Sequence, residues 1–270
     1  MLSGILVKVI GACFSIPLAN LYGADGNDIF ISAYYVYTAM YVISSAGLPV
    51  AVSKMVAESR ALGRGAEIRR IARVSMTAFV LLGAALSLGM MLSVDTLCRF
   101  VGGSCRYAIL TVAPTIFFTC IVSAVRGYYQ GLSNMVSTAV SQIIEAMGKL
   151  LFGLGLARFL MARGYSLDIV VAGAIGGVTL GTVFSAAYVI LYRLRDRKTR
   201  KDLPAGGTCR GDGEILRTLV RLAVPITIGA SVFSVSTLID TFMVKLRLQE
   251  GCRMTDAAAG FTYGAYGYAV

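Results

Sequence analysis

An all-α, multi-pass membrane protein is the fold class this sequence predicts, and three observations predict it. Mean hydropathy is +0.75, with 57% hydrophobic and 14% charged residues over 270 positions, whereas soluble domains carry about 25% charged residues. The apolar residues gather in long runs, and a spanning helix needs roughly 20 of them. The runs also lack the alternating segments of about 10 residues that mark a transmembrane β-barrel. Helices are then expected, because a spanning segment must satisfy its own backbone hydrogen bonds.

Seven spans are expected, at 2–22, 30–57, 71–94, 107–125, 135–160, 168–192 and 219–244. The first is read as a span and not a cleavable leader, since Lys8 interrupts its apolar run and no small-residue cleavage site with a polar start follows. Lys8 lies near the cytoplasmic third of this helix, where its stem can snorkel. The second span closes with Lys54 and Glu58, read as interface anchors. The third follows a basic loop holding Arg60, Arg64, Arg69, Arg70 and Arg73. Between the third and fourth lies "CRFVGGSC", where a Cys98–Cys105 disulfide is a candidate in an oxidising exterior. Arg126 opens the short turn "RGYYQGLSN" before the fifth span.

The sixth span places Gly173, Gly177, Gly181 and Ser185 at a four-residue repeat. Small residues at that spacing let helices approach closely. Pro17, Pro49, Pro114 and Pro225 fall in or beside spans as expected kinks. The seventh span carries Asp240 beside Ser236, Thr237 and Thr241. Aspartate has no long stem, so inside a membrane it needs a partner or water. An eighth apolar run starts near Ala257 and reaches Val270, too short to span comfortably.

The longest polar break is 193–217, "RLRDRKTRKDLPAGGTCRGDGEILR". The expected organisation is an N-terminal lobe at 1–192, a basic cytoplasmic linker at 193–217, and the start of a second lobe at 218–270. On this reading the sequence is an N-terminal piece of a longer protein.

The formal net charge is +11. The basic residues concentrate in alternate loops, after the second, fourth and sixth spans. The positive-inside rule makes those loops cytoplasmic and puts the N-terminus on the same side of the cell membrane. The clusters read as anchors near anionic membrane lipid and not as nucleic-acid contacts. With no histidine in the chain and no cysteine cluster at zinc-ligand spacing, His-based catalysis and a zinc site are excluded. No acid/base or metal constellation appears, so the sequence points to a transporter or channel before an enzyme.

The fifth span is the least ordinary. Thr138, Ser141, Gln142, Glu145 and Lys149 fall at i, i+3, i+4, i+7 and i+11, which is one continuous stripe on a helix. A charge inside the membrane costs at least ~2.5 kcal/mol on insertion scales. A Glu145–Lys149 pair at i, i+4 would recover part of that and could lock helices together. Five polar residues exceed what a lock requires, and a cavity lined by this helix is the better explanation. A cavity with both signs of charge suits an amphiphilic anion, or a cycle in which a carboxylate binds a cation.

Three stretches carry a resemblance: "AGLPVAVSKMVAE" (46–58), "RGYYQGLSNMVSTAVSQIIEAMGKLLFGLGLA" (126–157) and "LVRLAVPITIGASVFSVSTLIDTFMV" (219–244). They resemble the stage V sporulation protein B branch of the multidrug/oligosaccharidyl-lipid/polysaccharide (MOP) flippase superfamily, close to MurJ-like lipid II flippases. The resemblance implies a MATE-like fold of two lobes around a central cavity, of which this chain holds six helices of one lobe and the first one or two of the other. It implies alternating access that carries a polyprenyl-diphosphate-linked oligosaccharide across the membrane for cell-wall, spore or surface polysaccharide assembly. Lys8, Arg126, Glu145, Lys149 and Asp240 are the substrate-cavity residues it points to, with cations gripping the diphosphate, and Gln142 joins them from the polar stripe. Ser15 stands where this branch often has a second basic residue. No cofactor or metal is expected, and coupling would draw on Na⁺, H⁺ or the membrane potential. The runner-up is a cation-coupled multidrug antiporter of the same superfamily. A non-transporting scaffold in envelope or spore assembly is the third reading.

Overall fold

The computed structural model of the chain describes residues 2–101, 106–196, 210–250 and Thr262. Eight helices are named among them: α1 (Leu2–Ser45), α2 (Gly47–Ala61), α3 (Gly65–Leu92), α4 (Val94–Val101), α5 (Arg106–Gly131), α6 (Val136–Ala162), α7 (Leu167–Arg195) and α8 (Asp212–Glu250). No strand occurs among the described residues. Six stretches are long and apolar enough to cross a membrane: Gly4–Gly23, Gly26–Ala61, Gly65–Leu92, Arg106–Gly131, Leu167–Arg195 and Asp212–Leu248. The chain is a multi-pass membrane protein. Helix α6, 27 residues long, carries Glu145 and Lys149 within a largely apolar sequence.

Several boundaries move from their expected places. The first span, however, ends where expected: α1 is broken into two helical parts at Gly23, where φ is 65° and ψ is −168°, and the stretches on either side are Gly4–Gly23 and Gly26–Ala61. That backbone region is open to glycine and closed to most side chains. Asn27 and Asp28 just beyond it are buried. Of the five arginines expected in the loop after the second span, only Arg64 lies outside a helix; Arg69, Arg70 and Arg73 sit on the first turns of α3. Residues 193–195 and 212–217 of the expected linker are helical, and 197–209 lie outside the described residues, as do Cys105 and the eighth run apart from Thr262.

Two apolar cores share α5 and α7. The first gathers Phe14, Leu18 and Tyr22 of α1 around Ile109 and Ile116 of α5 and Ile175 of α7. The second sets Met55 of α2 and Phe79 of α3 against Val125 of α5, Val189 of α7 and Leu219 of α8. Without water between helices, close van der Waals fit is what associates them. Glycine supplies that fit at the α6–α7 crossing. A Cβ on Gly148 would stand 2.5 Å from Gly181 Cα, and one on Gly177 would stand 2.2 Å from Gly153 Cα. The four-residue repeat on α7 therefore packs helices, as its spacing predicts.

The same fit explains the "RGYYQG" stretch. A Cβ on Gly127 would stand 2.7 Å from the Pro49 carbonyl oxygen, and one on Gly131 would stand 2.7 Å from that of Ser53. These glycines continue α5 against α2 and do not turn the chain. Arg126 is thus a residue of α5 near its C-terminal end and not the opening of a loop, which corrects the expected placement.

Candidate functional site

A cavity of about 420 Å³ lies between α1, α5, α6 and α7. Gly4, Val7 and Gly11 line it from the first part of α1, and Tyr34, Tyr37 and Tyr41 from the second. Arg126 projects into it from α5, and Gln142, Glu145 and Lys149 from α6. The helical spacing of the stripe delivers these three side chains to one side.

Arg126 organises the polar wall. Its Nε donates to Ser141 Oγ at 2.8 Å, and its Nη2 donates to Glu145 Oε2 at 2.9 Å and to Ser185 Oγ at 3.3 Å. Ser185 Oγ donates in turn to the Ser141 carbonyl at 3.0 Å. Ser185 is the last member of the small-residue repeat on α7, so the close α6–α7 crossing and the arginine's support are one construction. The Arg126 and Glu145 side chains are 11% and 23% exposed, which makes this a half-buried, charge-assisted contact of the stronger kind.

Lys149 is placed differently. The expected Glu145–Lys149 pair is absent among the ion pairs of the described residues, because Arg126 takes the carboxylate. The Lys149 ammonium stands 4.7 Å from the centroid of the Phe14 ring and 5.0 Å from that of Tyr34, and donates to Tyr34 Oη at 3.5 Å. Aromatic faces attract a cation through the ring quadrupole without neutralising it. Arg126 and Glu145 cancel, and Lys149 leaves the wall net positive.

The structure thus brings Arg126, Gln142, Glu145 and Lys149 together. It does not bring Lys8 or Asp240 to them. Lys8 is exposed on α1, one residue beyond cavity-lining Val7, and Asp240 is exposed on α8. Neither is among the residues that line this cavity. Tyr34, Tyr37 and Tyr41 were missed. Their signal was an aromatic stripe at i, i+3 and i+7 in the second span, which also reads as packing.

At the end of the bundle where α3 begins, a second charged cluster ties α8 down. Glu67 of α3 is fully buried, with Arg210 Nε 3.1 Å from Oε1 and Arg64 Nη1 3.5 Å from Oε2. Arg210 also donates to Glu58 Oε1 of α2 at 2.8 Å, and Arg70 pairs with Asp212. Glu58, expected as an interface anchor, is thus one arm of an inter-helix clasp.

The comparisons agree with this architecture. The chain aligns with the lipid II flippase MurJ of Bacillus subtilis (strain 168) at 28% identity over 197 residues, covering 68% of this chain and 36% of that protein. It aligns with stage V sporulation protein B of the same organism at 26% identity over 192 residues, covering 70% of this chain and 36% of that one. The chain therefore spans well under half the length of these two relatives. An inward-facing multidrug resistance MATE family transporter of the MOP superfamily superposes with a TM-score of 0.69 at 17% identity, over 92% of this chain and 56% of that structure. That likeness establishes the fold. All of the chain, residues 1–270, matches the family described as polysaccharide biosynthesis protein. With the MOP fold in place and the family matched from end to end, this chain belongs to the polysaccharide biosynthesis protein family.

Proposed function

We propose that these helices form one lobe of an alternating-access flippase whose substrate is a polyprenyl-diphosphate-linked oligosaccharide, a precursor of cell wall, spore or surface polysaccharide. The second wall of the path would come from a second lobe, and the N-terminus would be cytoplasmic. The observation that carries the reading is Lys149. It is a cation held over two rings at the middle of α6, with no carboxylate paired to it among the described residues. A lysine in that setting can meet a phosphate oxygen as a mobile point charge. The named activities of the lipid II flippase and the family description support the substrate class.

A cation-coupled drug antiporter fits less well. Its cavity would need an acid available to a cationic substrate, and Glu145 is already occupied by Arg126.

The test is accessibility of lipid-linked precursor at the outer leaflet in cells dependent on this protein. Lys149→Met should lower it about tenfold or more, the scale of one lost charge-assisted hydrogen bond, and Lys149→Arg should retain part of it. Equal accessibility in Lys149→Met and wild type, at equal protein level, would remove the reading and favour a non-transporting role in envelope assembly.

A further inference from the structure

A cavity of about 550 Å³ opens at the arginine-rich end of the bundle, outside the central site. It lies between the first turns of α3 and the last turns of α5 and α7. Arg69 and Arg73 stand one turn apart on α3, and Arg193 faces them from α7. Tyr128 supports Arg193, whose Cζ stands 5.7 Å from the ring centroid, a geometry that orients the guanidinium. The one acid in the lining is Asp196, and its carboxylate is hydrogen-bonded by Tyr129. Asp212, which acts electrostatically on Arg73, is ion-paired with Arg70. Among the described residues no carboxylate forms an ion pair with Arg69. Three guanidinium groups against one carboxylate leave the cavity positive.

The other side of the cavity is apolar. Met76, Ile190 and Leu194 line it, and Ile190 and Leu194 are 38% and 64% exposed on the outer face of the bundle. A small anion would have no use for that strip, whereas an amphiphile would use both halves. Planar guanidinium groups match phosphate oxygens in pairs. Basic pockets between helices on the cytoplasmic side are suited to phosphate headgroups, and the positive-inside rule puts this end there.

We propose that this cavity is a binding site for an anionic phospholipid, with its headgroup phosphate between Arg69, Arg73 and Arg193 and an acyl chain along Ile190 and Leu194. Diffuse attraction between loop charges and an anionic surface would hold many lipids loosely. A walled cavity with an apolar exit holds one. The site is independent of the transport reading, since none of its residues line the central cavity.

The experiment is native mass spectrometry of the full chain in mild detergent, with phosphatidylglycerol or phosphatidylcholine added. Wild type should retain one phosphatidylglycerol where phosphatidylcholine is lost. Arg69→Gln with Arg73→Gln should reduce retention about tenfold or more. Both residues are exposed, so the fold should tolerate the change, and Arg158→Gln, an exposed arginine near the far end of α6, should leave retention unchanged. Ile190→Ser with Leu194→Ser should also weaken it, which a site for free phosphate would not show. Equal retention of the two lipids, undiminished retention in the arginine double variant, or displacement by inorganic phosphate would overturn the proposal. So would retention of a polyprenyl diphosphate in place of phosphatidylglycerol, which would make the cavity a substrate entrance.

Discussion

Glu145 lies one helical turn from Lys149 on α6, yet its ion pair is made with Arg126 of α5, at 2.9 Å. Removing one partner of a buried pair strands the other charge, which costs more than the pair is worth. The pair is partly exposed to the cavity, so Arg126→Gln should destabilise the protein by about 2 kcal/mol, below the full ~3–5 kcal/mol of a fully buried site. Adding Glu145→Gln should return about half of that loss. Thermal unfolding of the purified variants measures both, and a double variant no more stable than Arg126→Gln alone would show that the pair is not coupled.

The α6–α7 crossing makes a sharper prediction. Gly177→Ala puts a Cβ 2.2 Å from Gly153 Cα, which is backbone and cannot step aside. Overpacking of this kind costs about 1–3 kcal/mol, and the helices should also part enough to weaken the Ser185–Ser141 contact. Gly155→Ala meets nothing within 4 Å and should be neutral or slightly stabilising. Similar melting temperatures for the two variants would argue against the close crossing.

Glu67 carries a fully buried carboxylate whose cations are Arg64 and Arg210. Arg210→Met should destabilise the protein by about 3 kcal/mol, through the charge left behind, and should loosen the start of α8 first. Protease sensitivity at the start of α8 should rise with it. Glu67→Gln added to Arg210→Met should restore much of the stability. No restoration would mean that Arg210 acts through Glu58 alone.

Tyr34 offers a test of how Lys149 is held. Tyr34→Phe keeps the ring and loses the 3.5 Å contact, so outer-leaflet accessibility of the lipid-linked precursor should stay near wild type. Tyr34→Leu removes the aromatic face, worth about 0.5–2 kcal/mol to a cation, and should lower accessibility several-fold. Equal values for the two would mean that the ring does not position the ammonium.

Most of the helices were legible in the sequence because a spanning helix needs a long apolar run, and the cavity-lining face of α6 because it rests on helical periodicity. Ser141, Glu145 and Lys149 share a face whatever α6 packs against. Pairing across helices was not legible. Arg126 precedes Gly127 and Gly131, and glycine in a polar stretch reads as a turn, yet here both glycines admit α2 at Pro49 and Ser53. That misreading placed Arg126 in a loop and left Lys149 as the natural partner of Glu145. The break in α1 was legible: Gly23 stands one residue past the expected end of the first span and interrupts the helix there. Asp240 and Lys8 were assigned from the resemblance, and neither reaches the cavity formed by these helices.

Helix α6 has a consequence for biogenesis. It carries Glu145 and Lys149 in the middle of a largely apolar helix. A helix of that kind partitions poorly from the translocon into lipid by itself. Helix α5 leaves the ribosome first and brings Arg126, and α7 follows with the glycines that accept α6. Insertion of α6 should therefore depend on both neighbours, and a variant lacking Arg126 should insert α6 less completely than wild type.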